Sequence, residues 1–189
     1  MNKKKIIAGV DEVGRGSLIG PVYAAAVILQ KKVDKKLIKD SKKLNKKKRE
    51  ILEKYIKKNS IWAIGSSSKK EIEKLNILEA SMLAMKRAIK KLRYKPNLVL
   101  IDGNKKPKIK NYVLKNIIKG DQKVPSISAA SIIAKVARDK MIARIGKKFK
   151  GYNWHRNCGY GTKEHLKAIK SLGITTHHRK TFSPINKIK

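Results

Sequence analysis

Four acids in this chain stand where side chains can do chemistry. Asp11 and Glu12 follow the apolar run KIIAGV (5–10) side by side, Asp102 ends NLVLID (97–102), and Asp121 follows a glycine at the end of NYVLKNIIKGD (111–121). Acids are scarce here, 13 against 49 Lys plus Arg, and Glu50, Glu53, Glu71, Glu73 and Glu79 sit at helical spacing suited to pairing with lysines one turn away. The four others sit at strand ends, where open α/β sheets build ligand sites. If the ends of neighbouring strands converge, four carboxylates crowd together, and repulsion raises at least one pKa unless cations neutralise them. Oxygen-only ligands suit Mg²⁺ or Mn²⁺ rather than zinc. Two such ions about 4 Å apart can activate a water and stabilise the leaving oxygen of a phosphodiester. The simpler alternative pairs these acids with nearby lysines, and that account is preferred for Asp139, four residues after Lys135 on an expected helix.

The rest of the composition bears on what such a site would act upon. A formal net charge of +36 points to a polyanionic partner, nucleic acid ahead of an anionic membrane, although lysines used as solvated filler account for part of it. The single cysteine, Cys158, forms no internal disulfide and has no CxxC company, which fits a reducing compartment. IIAGV is too short for a signal-peptide core, and no run reaches the roughly 20 apolar residues of a membrane helix. The expectation is a cytoplasmic protein with no membrane association, one domain over residues 1–189 and, from size alone, a monomer.

The elements that must position the acids follow from periodicity. KIIAGV and GPVYAAAVIL (20–29), joined by DEVGRGSLI, read as an antiparallel strand pair. A helix capped by Asn45 follows over LNKKKREILEKYIKK, then a strand over SIWAIGSSS (60–68). Ile72, Leu75, Leu78, Met82, Met85 and Ile89 predict a long amphipathic helix over 69–92. NLVLID and 111–121 read as two more strands, 127–149 as a second long helix, 151–162 as a loop and KEHLKAIKSLG as a short helix stopped at Gly173. Residues 174–189 read as a short basic tail. The fold class is α/β, a mixed central β-sheet flanked by α-helices.

AGVDEVGRGSLIGPV, KDSKKL, LNIL, VLIDGN, KGDQKVPSISAASIIAKVARD, GYGTKEH and HHRKTF, in this order over residues 8 to 182, resemble the type 2 ribonucleases H, specifically the bacterial ribonuclease HII family. The resemblance implies a ribonuclease H-like fold. It also implies endonucleolytic cleavage of the RNA strand of RNA·DNA hybrids and 5′ of ribonucleotides embedded in duplex DNA, leaving 5′-phosphate and 3′-hydroxyl ends. It assigns the metal ligands to Asp11, Glu12, Asp102 and Asp121, the same four acids. Gly14, Arg15 and Gly16 match the family's ribose-sensing group; glycines let backbone groups approach a 2′-hydroxyl that DNA lacks, whereas a bare GRG elsewhere is usually a turn. Tyr160 matches a tyrosine that packs on the sugar at an RNA–DNA junction. Ser41 and Lys42 match a phosphate-contacting pair, with Lys43, Arg179 and Lys180 as further backbone contacts, and His177 and His178 as nucleic-acid contacts or packing. Cys158 stands where the family commonly has lysine. Competing readings are a basic RNA-binding module without catalysis and a DNA nuclease of the same fold.

Overall fold

Five strands and seven helices form around one mixed sheet in the computed structural model, which describes residues 5–39 and 44–188. Ser41, Lys42 and Lys43 lie outside the described residues. The strands are β1 (Ile7–Val13), β2 (Val22–Leu29), β3 (Ser60–Ser67), β4 (Leu98–Asp102) and β5 (Leu114–Ile117), in the order β3-β2-β1-β4-β5. The first three pair antiparallel, while β1, β4 and β5 run parallel, so the carboxyl ends of these last three open on one edge. No helix among the described residues is long and apolar enough to cross a membrane.

Strand alternation sorts side chains between two layers. Ala8 and Val10 of β1, with Val99 and Ile101 of β4, pack toward α3 (Lys69–Lys90). Fully burying each of the three branched side chains contributes about 1.5–3 kcal/mol before entropy is counted. The opposite face takes α5 (Pro125–Gly146), packed with α1 (Lys36–Lys39) and α2 (Lys46–Asn59), the latter capped by Asn45 as its sequence predicts. Gly9 is required here, because a Cβ on it would lie 2.2 Å from the Ser126 carbonyl carbon. That close approach brings α5 against the strand that carries Asp11 and Glu12.

Three expectations are corrected. The long helix is broken at Asn76, whose φ of 68° leaves the helix while its side chain accepts hydrogen bonds from the Leu78 and Glu79 amides at 2.9 and 3.1 Å, capping the second segment. The strand over 111–121 shrinks to β5, and Asp121 lies instead in the helical turn α4 (Gly120–Lys123), entered through Lys119 in the left-handed region. Residues 174–188 are no solvated tail: His178, Arg179 and Ile185 are buried. They close a third apolar cluster with Leu18, Ile19, Trp154 and Ile169, beside α6 (Trp154–Asn157) and α7 (Lys163–Leu172).

Candidate active site

The parallel strands bring all four predicted acids to the same edge. Asp11 lies one residue beyond the Val10–Ile101 pair, and so does Asp102 on the neighbouring strand; both point away from the α3 layer. The Asp11 carboxylate accepts the Glu12 amide at 2.7 Å and the Ser131 hydroxyl from α5. Burial, then the adjoining Glu12 and Asp102 charges, holds the Asp11 carboxyl well above the usual carboxylate range, outweighing those hydrogen bonds. Burial also raises Glu12, against an ion pair with Arg15 at 3.1 Å. Arg15 is half exposed, so that pair contributes less than about 1 kcal/mol.

Asp102 faces the turn after β5. Its Oδ1 accepts the Gly120 amide at 2.7 Å and the Asp121 amide at 3.4 Å, which ties β4 to α4 and draws Asp121 to the edge. Among the described residues no three of His, Cys, Asp and Glu converge into one ligating group. The reason is visible in the partners: Glu12 is turned to Arg15 and Asp102 to backbone amides. The donor set nonetheless fits a hard divalent cation, being carboxylate oxygens alone, with two carboxyls destabilised by burial and by neighbouring carboxylates. Asp139 pairs with Lys135 at 2.9 Å, the simple account its spacing predicts.

The GRG loop begins at Gly14, two residues after Glu12 and directly after the end of β1 at Val13. Gly14 takes φ +93°, and a Cβ there would fall 2.1 Å from the Arg138 Nε, so both its backbone and its missing side chain are needed. A Cβ on Gly16 would meet nothing within 4 Å, so the loop is open on that side. Tyr160 stands across from it: Ser17 bridges to Tyr160, the Leu18 amide donates to the Gly159 carbonyl at 2.8 Å, and the Ser17 hydroxyl donates to the same carbonyl at 3.0 Å. The Arg138 guanidinium lies 5.6 Å from the Tyr160 ring centre.

Sequence reasoning missed what lies beneath this loop. Arg179, expected to reach the nucleic-acid backbone, is fully buried and donates to the carbonyls of Gly14, Arg15 and Gly20 at 2.8–2.9 Å. Lys180 remains exposed, its amide donating to Glu73. His178 is packing: its Nδ1 accepts the Thr175 amide at 2.8 Å, so its Nε2–H faces His165 Nε2 at 3.4 Å. His165 accepts Trp154 Nε1–H at 2.9 Å and donates from Nδ1 to the Tyr160 carbonyl at 2.9 Å. These partners fix both rings as neutral tautomers. Burial and the neighbouring His165 bring His178 down to about 4. The signal for the buried cluster was one aromatic, Trp154, and two histidines recurring over some 25 residues of an irregular segment.

Comparison with known proteins agrees with this architecture. Residues 8–184 match the profile of the family described as Ribonuclease HII. A Ribonuclease HII of Pelagibacter ubique is 75% identical over 182 residues, 96% of this chain and 98% of that protein. One of Rickettsia bellii is 51% identical over 178 residues, 94% and 90% of the two chains. Among solved structures, the ribonuclease H2 of Pyrococcus horikoshii superposes with a TM-score of 0.78 at 29% identity, covering 96% of this chain and 95% of its own.

Proposed function

The chain belongs to the ribonuclease HII family and is a ribonuclease H hydrolase, and we propose that it nicks duplexes on the 5′ side of ribonucleotides, whether embedded singly in DNA or in the RNA strand of a hybrid. The observation that carries the reading is the adjacency of Asp11, Glu12 and Asp102 at the β1–β4 edge to a glycine loop open at Gly16. Asp11, Glu12, Asp102 and Asp121 would hold Mg²⁺ or Mn²⁺. When bound, the ions supply an activated water and charge stabilisation at the leaving 3′-oxygen.

The chain's own residues perform the rest. The open side of Gly14, Arg15 and Gly16 offers backbone groups to the 2′-hydroxyl, so a deoxyribose leaves them unpaired, and an unpaired buried polar group is a strong rejection device. Tyr160 offers a flat ring to the neighbouring sugar. Lysines distributed over the surface neutralise phosphates without reading sequence, and Ser41 and Lys42 would join them. The protein would act as a cytoplasmic monomer in ribonucleotide removal.

The test is a labelled DNA duplex with one ribonucleotide, incubated with Mg²⁺, Mn²⁺ or chelator beside an all-DNA control. A metal-dependent nick 5′ of the ribonucleotide, leaving 5′-phosphate and absent from the control, is expected. Binding with no nick in any condition would return the protein to the class of basic binding modules.

A further inference from the structure

Two arginines, Arg138 on α5 and Arg179 on the C-terminal segment, are fully buried under the GRG loop, and their donors go to main-chain carbonyls. Arg179 spans Gly20 from Nε, Arg15 from Nη1 and Gly14 from Nη2. Arg138 spans Pro21 from Nε and Ile19 from Nη2 at 3.2 Å each, and Cys158 from Nη1 at 3.1 Å. Five of the six acceptors lie within residues 14–21, and the sixth is two residues before Tyr160. Burying a guanidinium is costly, and burial lowers the pKa of both. A chain that needed only to fill this space would use leucine or methionine. A planar fork is the side chain that fixes several carbonyl directions at once, because its donors are rigidly related.

The fork acts from one side only. Gly14 lacks a Cβ where Arg138 passes, so the guanidinium touches the loop backbone directly, whereas Gly16 faces open space. The inner face of the loop is thereby set from below, and the outer face is left to a ligand. Arg138 also reaches the neighbouring turn at Cys158 and lies 5.6 Å from the Tyr160 ring centre. It therefore spans the segment that carries the GRG loop and the turn that carries Tyr160. Ser17 adds a smaller tie between the same two segments, through the Gly159 carbonyl.

We propose that Arg179, through the Gly14, Arg15 and Gly20 carbonyls, and Arg138, through the Ile19, Pro21 and Cys158 carbonyls, are positioning residues that fix the 14–16 loop and its spacing to Tyr160, and so set the preference for a ribonucleotide followed by DNA. The proposal rests on the function argued above. Neither side chain touches the substrate, so their replacement leaves phosphate binding intact and moves the fit of the loop. Misplacement of positioning groups by about 1 Å lowers rates roughly a hundredfold.

The experiment measures kcat and KM of wild type, Arg179→Lys and Arg138→Lys on two substrates, a DNA duplex with one embedded ribonucleotide and a uniform RNA·DNA hybrid. Wild type should favour the embedded ribonucleotide. Each lysine variant should lose roughly ten- to a hundredfold of that preference, carried by kcat with KM nearly unchanged. A merely structural role would slow both substrates equally, and an unchanged ratio in folded variants overturns the proposal, as does a wild type without preference between the two. Should neither lysine variant fold, Ser17→Ala, which removes only a hydroxyl tie, must lower the same ratio, and an unchanged ratio there overturns it. A wild type that cuts neither substrate removes the proposed function itself, a distinct result.

Discussion

The carboxylate edge and the floor beneath the GRG loop are both built from polar groups withdrawn from water, partly at the edge and fully under the loop, yet they are satisfied in opposite ways. At the edge, Asp11 and Glu12 are held above their ordinary range by burial, Glu12 raises Asp11 further, and Asp102 adds to both. Under the loop, every side-chain nitrogen of two arginines and two histidines has a partner, and the histidines are neutral. A satisfied network rigidifies, while a crowd of like charges stores unfavourable energy that a cation can release. Parallel strands thus place at one edge a frustrated region suited to chemistry, and a chain crossing from residue 179 supplies a relaxed region suited to measuring a sugar.

The sharpest way to break the comparison is to remove a charge from the edge without altering its shape. Asp102→Asn keeps an oxygen for the Gly120 and Asp121 amides while losing a ligand charge. Cleavage should fall by about a thousandfold or more, equivalent to about 4 kcal/mol in the barrier, with the circular dichroism spectrum unchanged. A variant cutting at the wild-type rate would remove the edge from the mechanism.

The floor should respond in stability first. Gly14→Ala puts a methyl 2.1 Å from a buried guanidinium at φ +93°, and should cost about 3 kcal/mol, or roughly 6–12 °C in Tm at this chain length. Gly16→Ala meets nothing within 4 Å, so its Tm should stay within about 1 °C of wild type while cleavage falls, because the methyl occupies the open side. Equal Tm losses in the two variants would erase the distinction between an inner and an outer face of the loop.

The two regions were not equally legible in the sequence. Strand-end acids announce themselves, since an apolar run closing on Asp102 has few structural excuses, and the parallel order of β1, β4 and β5 then does the gathering. The antiparallel β1–β2 pair, the Asn45 cap and the stop at Gly173 were readable from local chemistry alone. Arg179 was misread because long-range burial leaves no periodic trace in an irregular segment, and in a chain with 49 basic residues one more looks like a phosphate contact. Asn76 was misread because its capping role competes with an otherwise unbroken apolar period. Asp121 was placed on a strand because a single helical turn is too short to show a period.

Acid separates the regions again, with opposite signs. His178 titrates near 4 when folded against about 6.5 unfolded, and His165 is lowered too, so as the pH falls from 6.5 toward 4 the unfolded chain takes up protons first and stability is lost. Asp11 and Glu12, being raised, take up protons first in the folded state and gain stability over the same descent. The histidine loss should be on the order of 2 kcal/mol, or roughly 5 °C in Tm. His178→Gln offers an acceptor to the Thr175 amide and a donor toward His165, and should flatten the loss between pH 6.5 and 4. A profile as steep as wild type would place the acid sensitivity elsewhere.

The smallest effect concerns the frustration of the edge itself. Asp11→Asn preserves the acceptor for the Glu12 amide but removes one of the charges crowded there. In chelator at pH 7 the variant should be more stable than wild type, because it relieves the repulsion and desolvation of a buried charge, and its Tm should be higher. Added Mg²⁺ or Mn²⁺ should then stabilise wild type more than the variant, since the cation relieves what the substitution has already removed. A variant less stable than wild type in chelator would mean that the Asp11 carboxylate is held by hydrogen bonds stronger than the repulsion around it, and the edge would be as relaxed as the floor.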